Sequence, residues 1–409
     1  MYNTVFILLM SVLIFGYFLD RILDKLNLDH TLPVLPEELA GIFDAGEYRK
    51  SQLYKRDNTR FSFVTSSLGF IVMLLLFTFG VFGWFDGLIA GISAPYIVHV
   101  LIFFGSLALL GDLLTTPFDL YNTFVLEEKY GFNRTTVRTY VLDKLKGWLL
   151  GAILGGGLLA LITWIYLLTG PWFWLIALGL VTLVSVFLNM FYSNLIVPLF
   201  NKQVPLEEGS LRSKIEEFAQ EVNFKLDNIF VMDGSKRSSK ANAYFSGLGP
   251  RKRIVLFDSL IEDLDEEEVV AVLAHEVGHY KKKHTTSGLI LGTIQTALMF
   301  YLFSLFVGSD SFAVALGGTE ASFHLGLLAF GVLYSPISML TGLLTNTLSR
   351  RYEFQADTYA RENYQADSLV SSLKKLSKNN LSNLTPHPVY VFFHYSHPPL
   401  LQRIKSLKN

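Results

Sequence analysis

Cysteine is absent from the 409-residue sequence, which excludes disulfides, thiolate metal ligands and a cysteine nucleophile. Charge is also scarce, because Asp, Glu, Lys and Arg make up only 17% of the residues and the formal net charge is −1. Such a chain has no general positive field that would attract nucleic acid. The sequence is instead 51% hydrophobic, a composition typical of a membrane protein.

Seven stretches are apolar and long enough to cross a bilayer, which takes about 20 residues in a helix. Thr169-Gly170-Pro171 indicates a turn between the fourth and fifth stretches, and Pro336 predicts a kink in the seventh. Runs of this length disfavour the alternative, which is buried helices in a large soluble protein. The predicted spans are Thr4–Leu19, Phe61–Phe85, Ser93–Gly111, Gly147–Leu168, Trp172–Leu195, Thr286–Val307 and Phe323–Leu348.

Lysine and arginine alternate between the two sides of these spans. The connections 86–92, 169–171 and 308–322 contain neither residue, whereas the other connections are rich in both. This bias predicts a multi-pass protein with its N-terminus outside and its C-terminus in the cytosol. The first span lacks the basic flank and cleavage site of a signal peptide, so we expect it to be retained. The membrane would be the plasma membrane in a prokaryote and the endoplasmic reticulum in a eukaryote.

Residues 275–279 read His-Glu-Val-Gly-His, a pattern that is chemically useful only on a helix. There, His275 and His279 project from one face, one turn apart, and can both coordinate one Zn²⁺. Glu276 then lies beside the metal and can exchange protons with a bound water. Asp265 and Glu268 support the helix, because they have the spacing of an N-terminal capping box.

A protein zinc site needs a third ligand, and Glu353 and Asp357 are candidates on a predicted helix over 351–360. They are four residues apart and share a face, so one carboxylate can bind the metal while the other orients an imidazole. Taken alone, such a pair more often marks a solvated helix face. A metzincin site is excluded, because its glycine and third histidine are replaced by Lys282 and Thr285.

The cytosolic segment 204–284 mixes helix and strand signals. Leu211–Val222 has helical periodicity, and Asn228–Met232 is typical of a short strand. Asn242–Phe245 and Arg253–Phe257 are β-prone runs that predict a hairpin, with a turn over Ser246–Pro250. The hairpin would offer an edge to which an extended peptide could pair, or it would only pack the domain.

Together these features predict an all-α membrane protein with a small α+β zinc-protease domain. The predicted division is residues 1–201 for five transmembrane helices with cytosolic loops 20–60 and 112–146, residues 202–285 for the first part of the protease domain, residues 286–348 for helices six and seven, and residues 349–409 for the second part of the protease domain.

The span layout and a series of motifs extend over most of the chain. These motifs are Glu127–Asn133, Asn242–Phe245, Arg253–Asp258, His275–His279 with His284, Glu353–Asp357 and His397–Arg403. In this order the sequence resembles the CAAX prenyl protease 1 family of integral-membrane zinc endopeptidases. The resemblance implies one Zn²⁺ per chain, held by His275, His279 and Glu353. It further implies Glu276 as the catalytic base and Asp357 as the partner of a ligand.

The resemblance also implies roles outside the metal ligands. Asn242 and its strand, including Tyr244 on the same face, would bind the substrate backbone. His397 and Arg403 would face the reacting peptide, where either could stabilise an oxyanion; without the resemblance, both would be interpreted as structural. The seven helices would enclose a water-filled chamber closed by the zinc domain. Lys240 departs from the family pattern, which often has histidine nearby, and this leaves fine substrate selectivity open.

The predicted function is therefore zinc-dependent hydrolysis of peptides, with C-terminal, prenylated CAAX-type peptides as substrates. Expected partners are a peptide or protein substrate and the lipid bilayer, with no nucleic acid. A quality-control protease of the heat-shock metalloprotease type is the nearest alternative. An intramembrane site-2 protease would place the histidine motif in an apolar span, whereas charged residues flank it here. A channel or transporter with structural zinc would close the metal with four protein ligands.

Overall fold

Helices dominate the structure, a computed structural model that describes residues 2–32, 35, 37–39, 41–224, 229–246 and 253–409. The first half of the chain contains α1 (Thr4–Asp29), α2 (Ala45–Thr78), α3 (Val81–Ala90), α4 (Tyr96–Tyr121), α5 (Glu128–Tyr130), α6 (Val137–Leu150), α7 (Gly157–Thr169), α8 (Phe173–Leu195) and α9 (Val197–Phe200). Two π-helical segments, Asn122–Glu127 and Gly151–Gly156, join α4 to α5 and α6 to α7.

The second half adds the sheet and the remaining helices. These are β1 (Gln203–Pro205), α10 (Ser210–Glu221), β2 (Ile229–Met232), β3 (Ala243–Ser246), β4 (Arg253–Phe257), α11 (Asp258–Asp263), α12 (Glu266–Lys281), α13 (His284–Ser304), α14 (Asp310–Ala315), α15 (Phe323–Leu333), α16 (Ser335–Asn363), α17 (Ala366–Asn379), α18 (Pro388–His394) and α19 (Leu400–Lys408).

Five helical segments of the described chain are long and apolar enough to cross a membrane, or six when α15 and α16 count as one bent span. The chain is therefore a mostly helical, multi-pass membrane protein. The predicted second span is too long, because α2 ends at Thr78 and Trp84 lies in the separate helix α3. Gly80 separates the two helices with a left-handed backbone, φ +61°, which glycine adopts readily.

The last spanning segment differs from its prediction in one respect. A bend of 51° separates α15 from α16, with Pro336 in the first turn of α16, so the predicted kink is present. The helix predicted over 351–360 is not separate, however. It is the end of α16, which continues without a break to Asn363. Glu353 and Asp357 are thus held by the same rigid helix that leaves the membrane.

A four-stranded sheet lies beside α12, with strand order β1-β2-β4-β3. Strands β3 and β4 pair antiparallel, as the predicted hairpin requires, and residues 247–250 of its predicted turn lie outside the described residues. The sequence predicted β2 but neither β1 nor the parallel pairing of β2 with β4. The predicted strand began at Asn228, which lies outside the described residues. On the described residues, β3 is an edge strand, because its other side carries no strand.

Two large hydrophobic cores lie at opposite ends of the helices. One surrounds the sheet and buries the apolar face of α12, including Val270, Leu273 and Val277. The other lies at the far ends of the membrane helices and is rich in aromatic residues such as Phe103 and Phe173. The first core fixes α12, whose N-terminus begins with the predicted capping box: Asp265 N–H donates to Glu268 at 2.9 Å.

Candidate active site

Three side chains from α12 and α16 converge at the centre of the site. His275 and His279 lie one turn apart on α12, and their Nε2 atoms are 3.1 Å from each other. Glu353 approaches from α16, with Oε2 at 3.4 Å from His275 Nε2 and Oε1 at 3.2 Å from His279 Nε2. The two helices pack closely here, because Gly278 meets α16 without a side chain.

The geometry of this cluster fits a metal ion. Ligand atoms at about 2.0–2.1 Å from one tetrahedral metal would lie about 3.3 Å apart, close to the observed distances. Buried Glu353 Oε2 accepts no hydrogen bond from the described part of the chain, although its burial calls for a partner. Two imidazoles and one carboxylate form the donor set typical of catalytic zinc sites, and such a set would leave a fourth position for water.

Asp357 supports His275 from the side opposite the cluster. Its Oδ1 lies 2.9 Å from His275 Nδ1, and Arg403 holds the same carboxylate with two hydrogen bonds of 2.6 and 2.9 Å. Burial alone would lower the pKa of His275, but its contacts with Asp357 and Glu353 outweigh burial and raise that pKa to about 9. The carboxylates thus favour positive charge here, which a metal cation would supply.

A cleft of about 830 Å³ opens onto the cluster. Glu276 lines it without belonging to the three-ligand cluster, so its carboxylate is available to a molecule bound there. Tyr244 of β3 and Asn242, which immediately precedes this strand, line the same cleft, so the sheet edge lies along the cavity. The wall of the cleft thus combines the carboxylate of Glu276 with a strand edge that can pair with an extended peptide.

His397 and Arg403 both reach the cluster but differ in their surroundings. The His397 side chain is 64% exposed and its Nε2 lies 3.2 Å from Glu353 Oε1, at the mouth of the cleft. The Arg403 side chain is only 11% exposed and also lines the cleft, and its guanidinium is hydrogen-bonded to Asp357. The structure therefore brings both predicted residues to the site, with the His397 side chain largely exposed and the Arg403 guanidinium hydrogen-bonded to Asp357.

Two groups of contacts near the site were not predicted from sequence. Lys240 donates hydrogen bonds of 2.9 Å to both Tyr54 and Glu127, and so ties the approach to β3 to two distant segments. His284 and Gln355 form a second group behind His279. The position of His284, five residues after His279, was a sequence signal that carried no assigned role.

Two family models match adjacent parts of the chain. The model for the CAAX prenyl protease N-terminal region, five membrane helices, matches residues 25–202. The model for peptidase family M48 matches residues 205–409, which include all three residues of the cluster. Together they cover almost the whole sequence, with the boundary just before the sheet.

Individual proteins are similar over the same extent. A CAAX prenyl protease 1 homolog of Arabidopsis thaliana is 36% identical over 92% of this chain and 91% of its own length. The Homo sapiens homolog is 35% identical over 91% of this chain and 88% of its own. The crystal structure of S. mikatae Ste24p superposes with a TM-score of 0.93 at 31% identity, and each chain is covered completely.

Proposed function

Because this chain belongs to the CAAX prenyl protease 1 family of integral-membrane metalloendopeptidases, we propose that it uses one zinc ion to hydrolyse C-terminal, prenylated CAAX-type peptides. The substrate is the one that the names of its relatives give. One observation carries the chemistry: a buried cluster of two histidines and a glutamate faces a cleft whose wall also holds Glu276.

The proposed mechanism assigns metal binding to His275, His279 and Glu353. A zinc ion held there would activate a water molecule and polarise the carbonyl of the scissile bond. Glu276 takes a proton from the attacking water and then delivers it to the leaving amine, so one carboxylate serves as base and acid. Asp357 accepts the Nδ1–H of His275, which leaves the Nε2 lone pair of that ring directed at the metal.

Substrate backbone is held along β3 in this proposal. The N–H and C=O groups on the free side of the strand pair with an extended peptide, which becomes a fifth strand of the sheet. Asn242 and Tyr244 lie two residues apart and line the cleft, so they contact the peptide from one face. The cleft runs from this edge to the metal ligands, which supports delivery of a peptide bond to the cluster.

The structural environment supports different roles for His397 and Arg403. His397 is exposed at the mouth of the cleft, so it can donate a hydrogen bond to the oxyanion that develops during attack. Arg403 is largely buried and donates two hydrogen bonds to the carboxylate of Asp357, so it orients the group that in turn orients His275. Both residues thus serve catalysis, one on the substrate and one through a metal ligand.

We also propose seven membrane crossings. The segment Val137–Phe200 has 64 residues. As one straight helix it would be about 96 Å long, which is about three times the thickness of the bilayer core. It is interrupted at Gly170–Trp172, and α7 and α8 pack against each other, which supports two crossings joined by a turn. With α15 and α16 as one bent span, the total becomes seven.

A chamber between the membrane helices is part of the proposal. In α8 the buried residues lie only near its two ends, at Phe173, Ala177 and Ser193. In α13 they are His284, Phe300 and Phe303, again near the ends. Helices that pack tightly along their whole length would bury residues in the middle as well, so this distribution supports an open interior between the two hydrophobic cores.

The orientation and the domain division predicted from sequence remain part of this proposal. The zinc-protease domain, formed by residues 202–285 and 349–409, lies in the cytosol, together with the C-terminus. Residues near the sheet hydrogen-bond to the connection 112–146, as Arg237 does to Asp143 and Lys240 to Glu127, which supports placing both on the side that is cytosolic by the distribution of lysine and arginine.

The decisive experiment compares two peptides that differ only in the lipid. Purified protein is incubated with a farnesylated CAAX peptide and with its unprenylated twin, and the products are identified by mass. We expect loss of the three C-terminal residues from the prenylated peptide, abolished by a zinc chelator and restored by added zinc. Equal cleavage of both peptides would reject the proposed specificity, and cleavage that survives complete metal removal would reject the mechanism.

A further inference from the structure

The second nitrogen of His279 has an unusual partner. Whereas His275 Nδ1 faces a carboxylate, His279 Nδ1 lies 3.0 Å from Nδ1 of another histidine, His284. The other nitrogen of His284, Nε2, lies 2.9 Å from Gln355 Oε1. Three side chains thus form a continuous line of hydrogen bonds that starts at a metal ligand and ends at α16.

The contact between His279 and His284 requires a break in the helix between them. On one continuous helix, residues five apart point about 140° away from each other, so their rings would not meet. Lys283 interrupts the chain between α12 and α13 with a left-handed backbone, φ +59°, and His284 begins the new helix. The His284 ring is buried and stacks on Tyr352, with centroids 4.2 Å apart and planes at 11°.

The proton positions along the line follow from the needs of a metal ligand. His279 Nε2 must present a lone pair to the metal, so its proton sits on Nδ1. That N–H must donate to His284 Nδ1, which leaves the proton of His284 on Nε2, and Gln355 Oε1 accepts it. The reverse arrangement would place a proton on His279 Nε2 and remove the lone pair that binds metal.

We propose that His284 is a positioning residue whose Nδ1 accepts the proton of His279 and thereby holds that ligand in its metal-binding tautomer, with Gln355 fixing the tautomer of His284. This inference rests on the proposed metal site. It goes beyond that site, because it assigns a function to two residues outside the proposed set of metal ligands. Gln355 is exposed, so water can replace its carbonyl, whereas buried His284 has no such substitute.

Two substitutions of His284 separate hydrogen bonding from packing. His284→Asn places a carbonyl oxygen near the position of Nδ1 and keeps an acceptor, but it loses the stacked ring. His284→Phe keeps a ring on Tyr352 but offers no acceptor. Zinc affinity is measured on the purified full-length protein in detergent by competition with a chelator of known affinity. Melting temperatures of the metal-free proteins are measured in parallel.

We expect His284→Phe to weaken zinc binding about 10–100-fold, the usual effect of losing a partner of a metal-bound histidine, and His284→Asn to stay within about threefold of wild type. Gln355→Met should have a smaller effect than His284→Phe. The matched control is Gln295→Leu, which removes a 2.9 Å hydrogen bond between the same two helices, from Gln295 to Thr345, and should leave zinc affinity unchanged.

The outcomes distinguish this proposal from the one on which it rests. Wild-type zinc affinity in His284→Phe, or a larger loss in His284→Asn than in His284→Phe, would show that His284 only packs, while the metal site itself stands. A wild-type protein that binds no zinc would overturn both proposals. If His284→Phe does not fold, the other two variants decide. Near-normal zinc affinity in His284→Asn together with a modest loss in Gln355→Met supports the proposed role of His284. The opposite order of zinc affinities refutes it.

Discussion

At the scale of single residues, Glu276 is the simplest part of the site to test. It lines the cleft and is not one of the three clustered ligands, so proton transfer can be removed without removing metal. Glu276→Gln keeps the shape of the side chain but not its basicity. We expect normal zinc content and a loss of peptide hydrolysis of about 10²–10⁴-fold, the range for general acid–base catalysis.

The measurements are zinc content by mass spectrometry and turnover of a farnesylated CAAX peptide. Glu262→Gln, outside the cleft lining, is the matched control and should hydrolyse at the wild-type rate. Substantial hydrolysis by Glu276→Gln would remove this residue from the mechanism. Loss of zinc in the same variant would instead make Glu276 part of the metal site.

His397 and Arg403 both lie near Glu353, but their environments predict different phenotypes. His397→Ala should lower kcat about 100–1,000-fold with little change in KM or zinc content, because an oxyanion exists only in the transition state. Arg403→Lys loses the forked contact with Asp357, so it should weaken zinc binding about 10–100-fold through His275. Steady-state kinetics and chelator competition on both variants check these expectations.

The contrast between the two variants is the informative result. If His397→Ala loses zinc in proportion to its activity, His397 supports the structure of the metal site and does not stabilise the oxyanion. If Arg403→Lys keeps wild-type zinc affinity while kcat falls, the oxyanion role belongs to Arg403, and Asp357 does not need its guanidinium.

At the scale of elements, the distance between α12 and α16 decides whether the ligands can meet. A Cβ on Gly278 would lie 3.1 Å from the Cα and the carbonyl oxygen of Ala356 and from Cβ of Tyr359. Gly278→Ala should therefore push the helices apart, lower stability by about 1–3 kcal/mol and weaken zinc binding. The control is Gly342→Ala in α16, where a Cβ would meet nothing within 4 Å.

Thermal unfolding and chelator competition measure these effects. Alanine is the better helix former, so Gly342→Ala should be neutral or stabilising by up to about 1 kcal/mol. A Gly278→Ala protein with wild-type stability and zinc affinity would mean that α12 and α16 can separate without moving the ligands.

At the scale of the whole molecule, orientation in the membrane is the open prediction. The absence of cysteine lets single thiols be introduced without background. Ser311 and Gln402 are both exposed and lie on opposite sides in the proposed topology. A cysteine at Ser311 should react with an impermeant maleimide in intact cells, whereas one at Gln402 should react only after permeabilisation. The opposite pattern would invert the topology, and equal labelling would reject it.

The sequence by itself determined the features that depend on neighbouring residues. Hydropathy located the apolar helices, and the spacing of His275 and His279 placed both imidazoles on one face of α12. The capping box and the hairpin followed from residues within a few positions of each other. Such features are local because helical and strand periodicity fix the direction of each side chain relative to its near neighbours.

Only the tertiary structure decided which distant groups meet. It places Glu353 among the imidazoles, Asp357 between His275 and Arg403, and His284 behind His279. It also pairs β2 with β4 in parallel, although they are separated in sequence, and leaves β3 at the edge along the cleft. These contacts join segments that are far apart in the chain. They arise from the packing of α12 and α19 against α16 and from strand pairing in the sheet, and side-chain periodicity within one segment carries no information about them.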